Sequence, residues 1–362
     1  MKKLMRLDKY TFLLIVLQIC VLITSNTFAQ NSQESSASFD CSIPLEAQHI
    51  RPGDQNLQVH VKIGFFVIDV KEIDDLEQTF TADIWFNDTW SDPRLSEEAL
   101  GKSLERCIYK ANEIWTPQII VVNRSGGEEL LDSIARVDAQ GNVNIKQRYV
   151  GELTSDLDFA DFPFDKQILH FILADAGPDA ENIVFEVDED TTGERSQFSA
   201  EGWQINLIGG NNVTEDIKTL SDEPIRTIHR MDFRLQADRD QAYYIWKVIA
   251  PLCLIVLMAW GVFWIDPKHL GPQVGLSTAT VFTLIAYRFT LGFSLPKVSY
   301  FTRMDNFVLF STILVFLALG TAIATSKISS DGGNKLAKRI EKNMRVIYPV
   351  IFIAIIIFTL WL

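Results

Sequence analysis

Cysteine is scarce, with four in 362 residues. Cys20 and Cys253 each lie in an apolar run, so only Cys41 and Cys107 are available to pair in an exported domain. Whether their Cα atoms come close enough is left open by the sequence. There is no CxxC or HExxH, and the five histidines (His49, His60, His170, His229, His269) are scattered, so neither a metal nor a cofactor is expected. No GxSxG and no grouping of Ser, His and Asp stands out, and the carboxylates show no acid/base spacing, so an enzyme is not expected. Positive charge is also short, at 33 Lys and Arg against 46 Asp and Glu, which argues against nucleic acid as a partner.

What is present divides the chain into three. Lys2, Lys3, Arg6 and Lys9 precede the apolar run Thr11 to Ile23, and Thr27-Phe28-Ala29 follows, so residues 1–29 read as a removable export signal. Residues 30–242 are acidic, with 18 Lys and Arg against 41 Asp and Glu, a net of −23. Such a surface gathers cations, although acidity also serves solubility. Short β-branched and aromatic stretches separated by turns recur at Val59–Asp69, Thr79–Phe86, Ile119–Asn123, Ile134–Val137, Asn144–Glu152, Lys166–Leu173, Ile183–Val187, Trp203–Ile208 and Ile225–Leu235. They predict an immunoglobulin-like all-β sandwich of about ten strands, with a helix expected only over Ser96–Ala111. The acidic run Glu186 to Glu194 offers oxygen ligands to a divalent cation, but reads more readily as a solvated loop.

From residue 243 to 362 the composition changes to four apolar spans, Tyr243–Ile265, Gly271–Ser294, Asn306–Ser326 and Val346–Leu362, an all-α four-helix transmembrane bundle. With the first domain outside, residues 327–344 form a short cytoplasmic loop, and its Lys327, Lys335, Lys338, Arg339 and Lys342 obey the positive-inside rule. The second span carries Ser277, Thr278, Thr280, Thr283 and Thr290 where a lipid-facing helix would carry aliphatics. Gly275, Ala279, Phe282, Ala286, Phe289 and Phe293 share one stripe of a 3.6-residue helix. Two readings of that stripe are open: a packing face, or the lining of an axial pore that gates by dewetting. Arg288 lies off the stripe and is expected at a helix–helix or subunit interface.

Several motifs together carry a resemblance. Asp158-Phe159-Ala160-Asp161-Phe162-Pro163-Phe164-Asp165-Lys166-Gln167 resembles the signature loop of the pentameric ligand-gated ion channels. Trp85, Trp90-Ser91-Asp92-Pro93-Arg94-Leu95 and Ile114-Trp115-Thr116-Pro117 resemble that family's strand patterns. Arg239 precedes Pro251 by twelve residues, Trp260-Gly261-Val262-Phe263-Trp264 resembles the end of the first membrane helix, and Leu295-Pro296-Lys297-Val298-Ser299-Tyr300 resembles the linker after the pore helix. Ser155 and Leu169 occupy the positions of the signature disulfide, which resembles the prokaryotic branch.

The resemblance implies a homopentamer in the plasma membrane, with the second span around the pore and monovalent ions as cargo. It also implies a coupling layer of Asp74, Asp75, Phe162, Pro163, Phe164, Asp165, Arg239, Pro296 and Lys297, in which Arg239 pairs with Asp165 or Asp75. The family's aromatic agonist cage is eroded: Trp85 remains, Val122 and Ala176 stand at matching positions, and Asn211–Pro224 has no aromatic. A quaternary amine is therefore not expected. Trp85, Arg148, Tyr149 and Asp175 are the expected ligand contacts, for another small agonist or for protons. Trp90 and Trp115 are expected in the core, and Trp85 reads either way. Cation selectivity is expected from the acidic domain, although Gly271-Pro272-Gln273 matches neither class and Val274-Gly275-Leu276 resembles anion channels. A non-conducting membrane sensor is the alternative from another class.

Overall fold

The computed structural model describes residues 40–53, 57–217, 226–292 and 298–361. The targeting segment expected over 1–29, the Lys218–Pro224 part of the expected agonist loop, and Phe293, Pro296 and Lys297 lie outside the described residues.

A short helix, α1 (Leu45–His49), leads into a β-sandwich. Its strands are β1 (Val59–Asp74), β2 (Thr79–Ser91), β3 (Tyr109–Lys110), β4 (Ile119–Val121), β5 (Arg124–Glu129), β6 (Ile134–Val137), β7 (Asn142–Thr154), β8 (Lys166–Asp175), β9 (Ile183–Val187), β10 (Gly193–Glu194), β11 (Trp203–Ile217) and β12 (Arg226–Arg239). An eight-stranded sheet runs β10-β1-β2-β7-β6-β3, with β9 also on β1 and β5 also on β7; a four-stranded sheet runs β11-β12-β8-β4. The two inner faces meet on aromatic rings. Phe65 of β1 stacks on Phe233 of β12 at 4.1 Å and lies 5.1 Å from Phe171 of β8. Trp90 and Trp115 are buried edge to face at 6.0 Å, as core residues.

Two expectations about the sandwich are corrected, and the cysteine pairing left open is decided. The helix expected over Ser96–Ala111 is only α2 (Glu97–Leu100): Ser96 caps its start, and Gly101, at φ 67°, ends it in the left-handed conformation. Cys107 then turns the chain to bond Cys41, with Cα atoms 5.6 Å apart. The strand expected to stop at Ile208 runs to Ile217, because the chain makes a bulge at Ile208, between Leu207 and Gly209, rather than a turn. There Gly209 sits at φ 129°, and a Cβ on Gly210 would meet the Phe233 ring at 2.6 Å.

Four helices are long and apolar enough to cross a membrane: α3 (Ala242–Trp264), α4 (Leu270–Leu291), α5 (Arg303–Ser330) and α6 (Asn334–Leu360). Helices α5 and α6 extend well into the segment expected as a cytoplasmic loop, leaving only residues 331–333 between them. A capping box between Thr302 and Asp305 starts α5.

Candidate functional site

The junction of sandwich and bundle is built on Arg239, the last residue of β12. Its Nε and an NH2 donate to Asp165 at 2.8 and 3.1 Å, while its two terminal nitrogens donate to Asp75 at 2.7 and 2.8 Å. The guanidinium lies over the Trp203 ring at 4.1 Å and the Phe162 ring at 4.9 Å. Its side chain is only 4% exposed and that of Asp165 only 1%. Burial works against its charge, and the Asp75 and Asp165 carboxylates outweigh that and raise its pKa. Arg239 therefore takes both expected partners at once. Asp74, by contrast, shapes the β1–β2 turn, its Oδ1 accepting from the Leu76 and Glu77 amides at 2.8 and 3.0 Å.

The Phe159–Phe164 loop docks on the bundle. Phe162 is fully buried, Phe164 is partly buried against the same core, and the Phe162–Pro163 peptide is cis. The carbonyls of Ala160 and Phe162 accept from the Arg303 and Met304 amides, and Arg303 Nε donates to Asp161 at 2.8 Å. Tyr300 hydroxyl accepts from the Phe159 amide at 2.9 Å. One covalent link, from Arg239 to Ala242, and this docked loop thus join the sandwich to the starts of α3 and α5.

Helix α4 has two faces. Gln273, Ser277, Thr280, Val281, Leu284 and Leu291 are buried against the other helices. Gly275, Ala279, Phe282, Ala286 and Phe289 are all exposed, with Phe282 at 67% and Phe289 at 72%. Arg288 is also exposed on the single subunit. Ser277, Thr280, Thr283 and Thr290 return their hydroxyls to the carbonyl four residues earlier, so their polarity is spent within the helix.

The expected ligand residues do not form one group. Trp85, half exposed, stands opposite Arg148 on the outer face of the large sheet, in an open cleft of about 700 Å³. Arg148 is fixed by Asp83, Nε to Oδ1 at 3.0 Å and NH2 to Oδ2 at 2.8 Å. Tyr149 faces the opposite way. It is fully buried, its hydroxyl donates to the Gly126 and Glu152 carbonyls, and burial pushes its pKa up to about 12. Asp175 is on the other sheet, buried, accepting from the Gln118 and Gly177 amides, with burial raising its pKa. Neither lines the Trp85 cleft. Phe66, Lys146 and Arg195 do, and were missed. Lys146 was legible, since it is two residues before Arg148 and so on the same face of β7.

The acidic run from Glu186 is held by its own contacts. Glu186 pairs with His60 at 2.6 Å, Asp188 accepts from the Thr191 hydroxyl, and Glu194 accepts from the Leu207 amide. Among the described residues no group of three His, Cys, Asp or Glu is placed to hold a metal.

Comparison with known proteins agrees with this architecture. Residues 47–239 match the Neurotransmitter-gated ion-channel ligand binding domain, and residues 248–352 match the Neurotransmitter-gated ion-channel transmembrane region. The chain is 26% identical over 298 residues to a "Proton-gated ion channel" of Gloeobacter violaceus, covering 81% of this chain and 80% of that protein. With an outer β-sandwich, four membrane-length helices and both halves matched in order, the chain belongs to the family of pentameric, neurotransmitter-gated ion channels.

Proposed function

We propose that five copies of this chain assemble in the plasma membrane as a ligand-gated, cation-selective channel whose pore is lined by α4. The observation that carries this reading is the exposure of Gly275, Ala279, Phe282, Ala286 and Phe289 on a helix whose opposite face is packed. Five such stripes around an axis put rings of Phe282 and Phe289 in the path, an apolar constriction that gates by dewetting. A domain of −23 per subunit supports cation selectivity by concentrating cations at the outer mouth. An agonist in the Trp85 cleft, between subunits, would bias the Asp75–Arg239–Asp165 layer and so the tilt of α4. A proton agonist is supported by the similarity to the proton-gated channel of Gloeobacter violaceus and by one buried carboxyl, Asp88, whose burial lifts its pKa to about 7.

Voltage-clamp recording from the expressed protein, with pH, amines and carboxylates applied in turn, tests the reading. Currents are expected to reverse near the sodium and potassium potentials in a salt gradient. Reversal near the chloride potential transfers selectivity to anions, the reading that Val274-Gly275-Leu276 favours. Phe282→Ala is expected to open the channel at lower stimulus by widening an apolar ring. Unchanged gating and conductance in that variant would show that Phe282 does not face the pore.

A further inference from the structure

The Trp85 cleft has a charge opposite to that of the domain around it. In a domain with 18 Lys and Arg against 41 Asp and Glu, its lining holds Lys146, Arg148 and Arg195 and no carboxylate. The large exposed apolar faces in it are Phe66, Trp85 and Leu131. The strand pairing explains how the charges converge. Trp85 is opposite Arg148 across β2 and β7, and Asn87 is opposite Lys146, so all four side chains rise from one face. Arg195 arrives from the β10 edge, its amide bonded to the Val67 carbonyl beside Phe66.

The three cations are not equivalent. Arg148 is neutralised and held by Asp83, which lies outside the lining, whereas Lys146 and Arg195 are exposed. A fixed wall beside two solvated cations is an arrangement for attracting an anion, since a like charge entering here meets no acid to offset them. Aromatic faces beside them suit a planar or aliphatic body, and the volume is that of a small-molecule site.

We propose that this cleft takes a small organic anion with an apolar body, a carboxylate in the simplest case, and excludes simple amines. Lys146 and Arg195 meet the carboxylate, Trp85 and Phe66 flank the body, and Arg148, positioned by Asp83, closes the wall. The proposal rests on the reading of the Trp85 cleft as the agonist site and specifies what that site accepts.

Three probes that share a ring and differ in charge test it: benzoate, benzamide and benzylamine, titrated calorimetrically into the full-length protein in lipid nanodiscs. Benzoate is expected to bind at least tenfold more tightly than benzamide, and benzylamine least tightly. Lys146→Gln combined with Arg195→Gln is expected to bring benzoate to the level of benzamide, while Trp85→Ala weakens both. Both exposed positions tolerate Gln without disturbing the core, and an unchanged melting temperature confirms that the double variant is folded. Benzylamine binding as well as benzoate, no saturable benzoate binding, or a charge preference that survives the double variant overturns the proposal. Current recording separates this from the channel reading. Benzoate that binds through Lys146 and Arg195 without evoking current supports the anion site and counts against its gating role. An amine that opens the channel through Trp85 overturns the anion site and leaves the channel.

Discussion

Asp88 shows how far one residue departs from what its position in the sequence suggests. It is one of 41 acidic residues in its domain and nothing in the sequence marks it. On β2 it points inward, opposite Ile63 and Ile145, and is 2% exposed. Gln147 donates to Oδ2 at 3.0 Å, and Oδ1 has no partner among the described residues. Burial lifts its pKa from 3.8 to about 7, with only the Gln147 bond opposing. The folded state therefore holds this proton more tightly than the unfolded chain does. Its contribution to stability is full below about pH 4 and is lost as the pH rises to about 7, an effect of about 4 kcal/mol at most. Asp88→Asn has no proton to lose. The melting-temperature difference between this variant and its parent is expected to be small at pH 4 and to favour the variant by several degrees at pH 8. A difference that does not change with pH would mean that Asp88 does not carry the proton. Trp85 and Arg148 were legible at this scale, because a strand's alternation and its pairing put both on one face. Tyr149 was not, because adjacent residues on a strand face opposite ways and the sequence does not say which way is out.

At the scale of elements, the four helices and most strands were legible from apolar length and alternation, and the β11 bulge was not. A Gly-Gly-Asn-Asn run reads as a turn unless the partner strand is known to continue beside it. The inner end of the bundle holds a similar surprise. Gln273, expected only as a departure at the pore mouth, is fully buried on α4 and donates to Glu341 Oε1 of α6 at 2.7 Å. The Thr325 hydroxyl of α5 donates to the same oxygen at 3.3 Å. Glu341 falls in the 327–344 stretch expected as a cytoplasmic loop, yet it ties three helices together. Glu341→Ala strips Gln273 of its acceptor inside the bundle, at a cost of roughly 1–3 kcal/mol, while the Thr325 hydroxyl keeps the Thr321 and Ala322 carbonyls. Thermal unfolding of the detergent-solubilised protein is expected to show the loss, with Glu341→Gln, which keeps an acceptor, closer to the parent. Equal melting temperatures for Glu341→Ala and the parent would argue against the tie.

For the whole molecule, the sandwich and the bundle are linked by chain at Arg239–Ala242 and by docking of the Phe159–Phe164 loop, and Arg239 is central to both. Its position was legible from the distance to Pro251; that it binds Asp75 and Asp165 together was not, because they approach from different loops. A buried guanidinium between two carboxylates is costly to break from one side. Arg239→Gln leaves Asp165, 1% exposed, without its cation, and is expected to abolish surface pentamers or gating. A structural role and a coupling role are separated by weakening the outer partner alone. Asp75 is 21% exposed, so Asp75→Asn keeps a hydrogen-bond acceptor and leaves the Arg239–Asp165 bonds in place. If this layer transmits the signal, Asp75→Asn should assemble normally and bind agonist with its parent's affinity in the closed state. Its activation curve should nevertheless shift, about tenfold for each 1.4 kcal/mol taken from the coupling. A curve that superimposes on the parent's, at equal surface expression, would leave Arg239 as a structural rivet between two domains and move the transmission of gating to the Phe159–Phe164 loop.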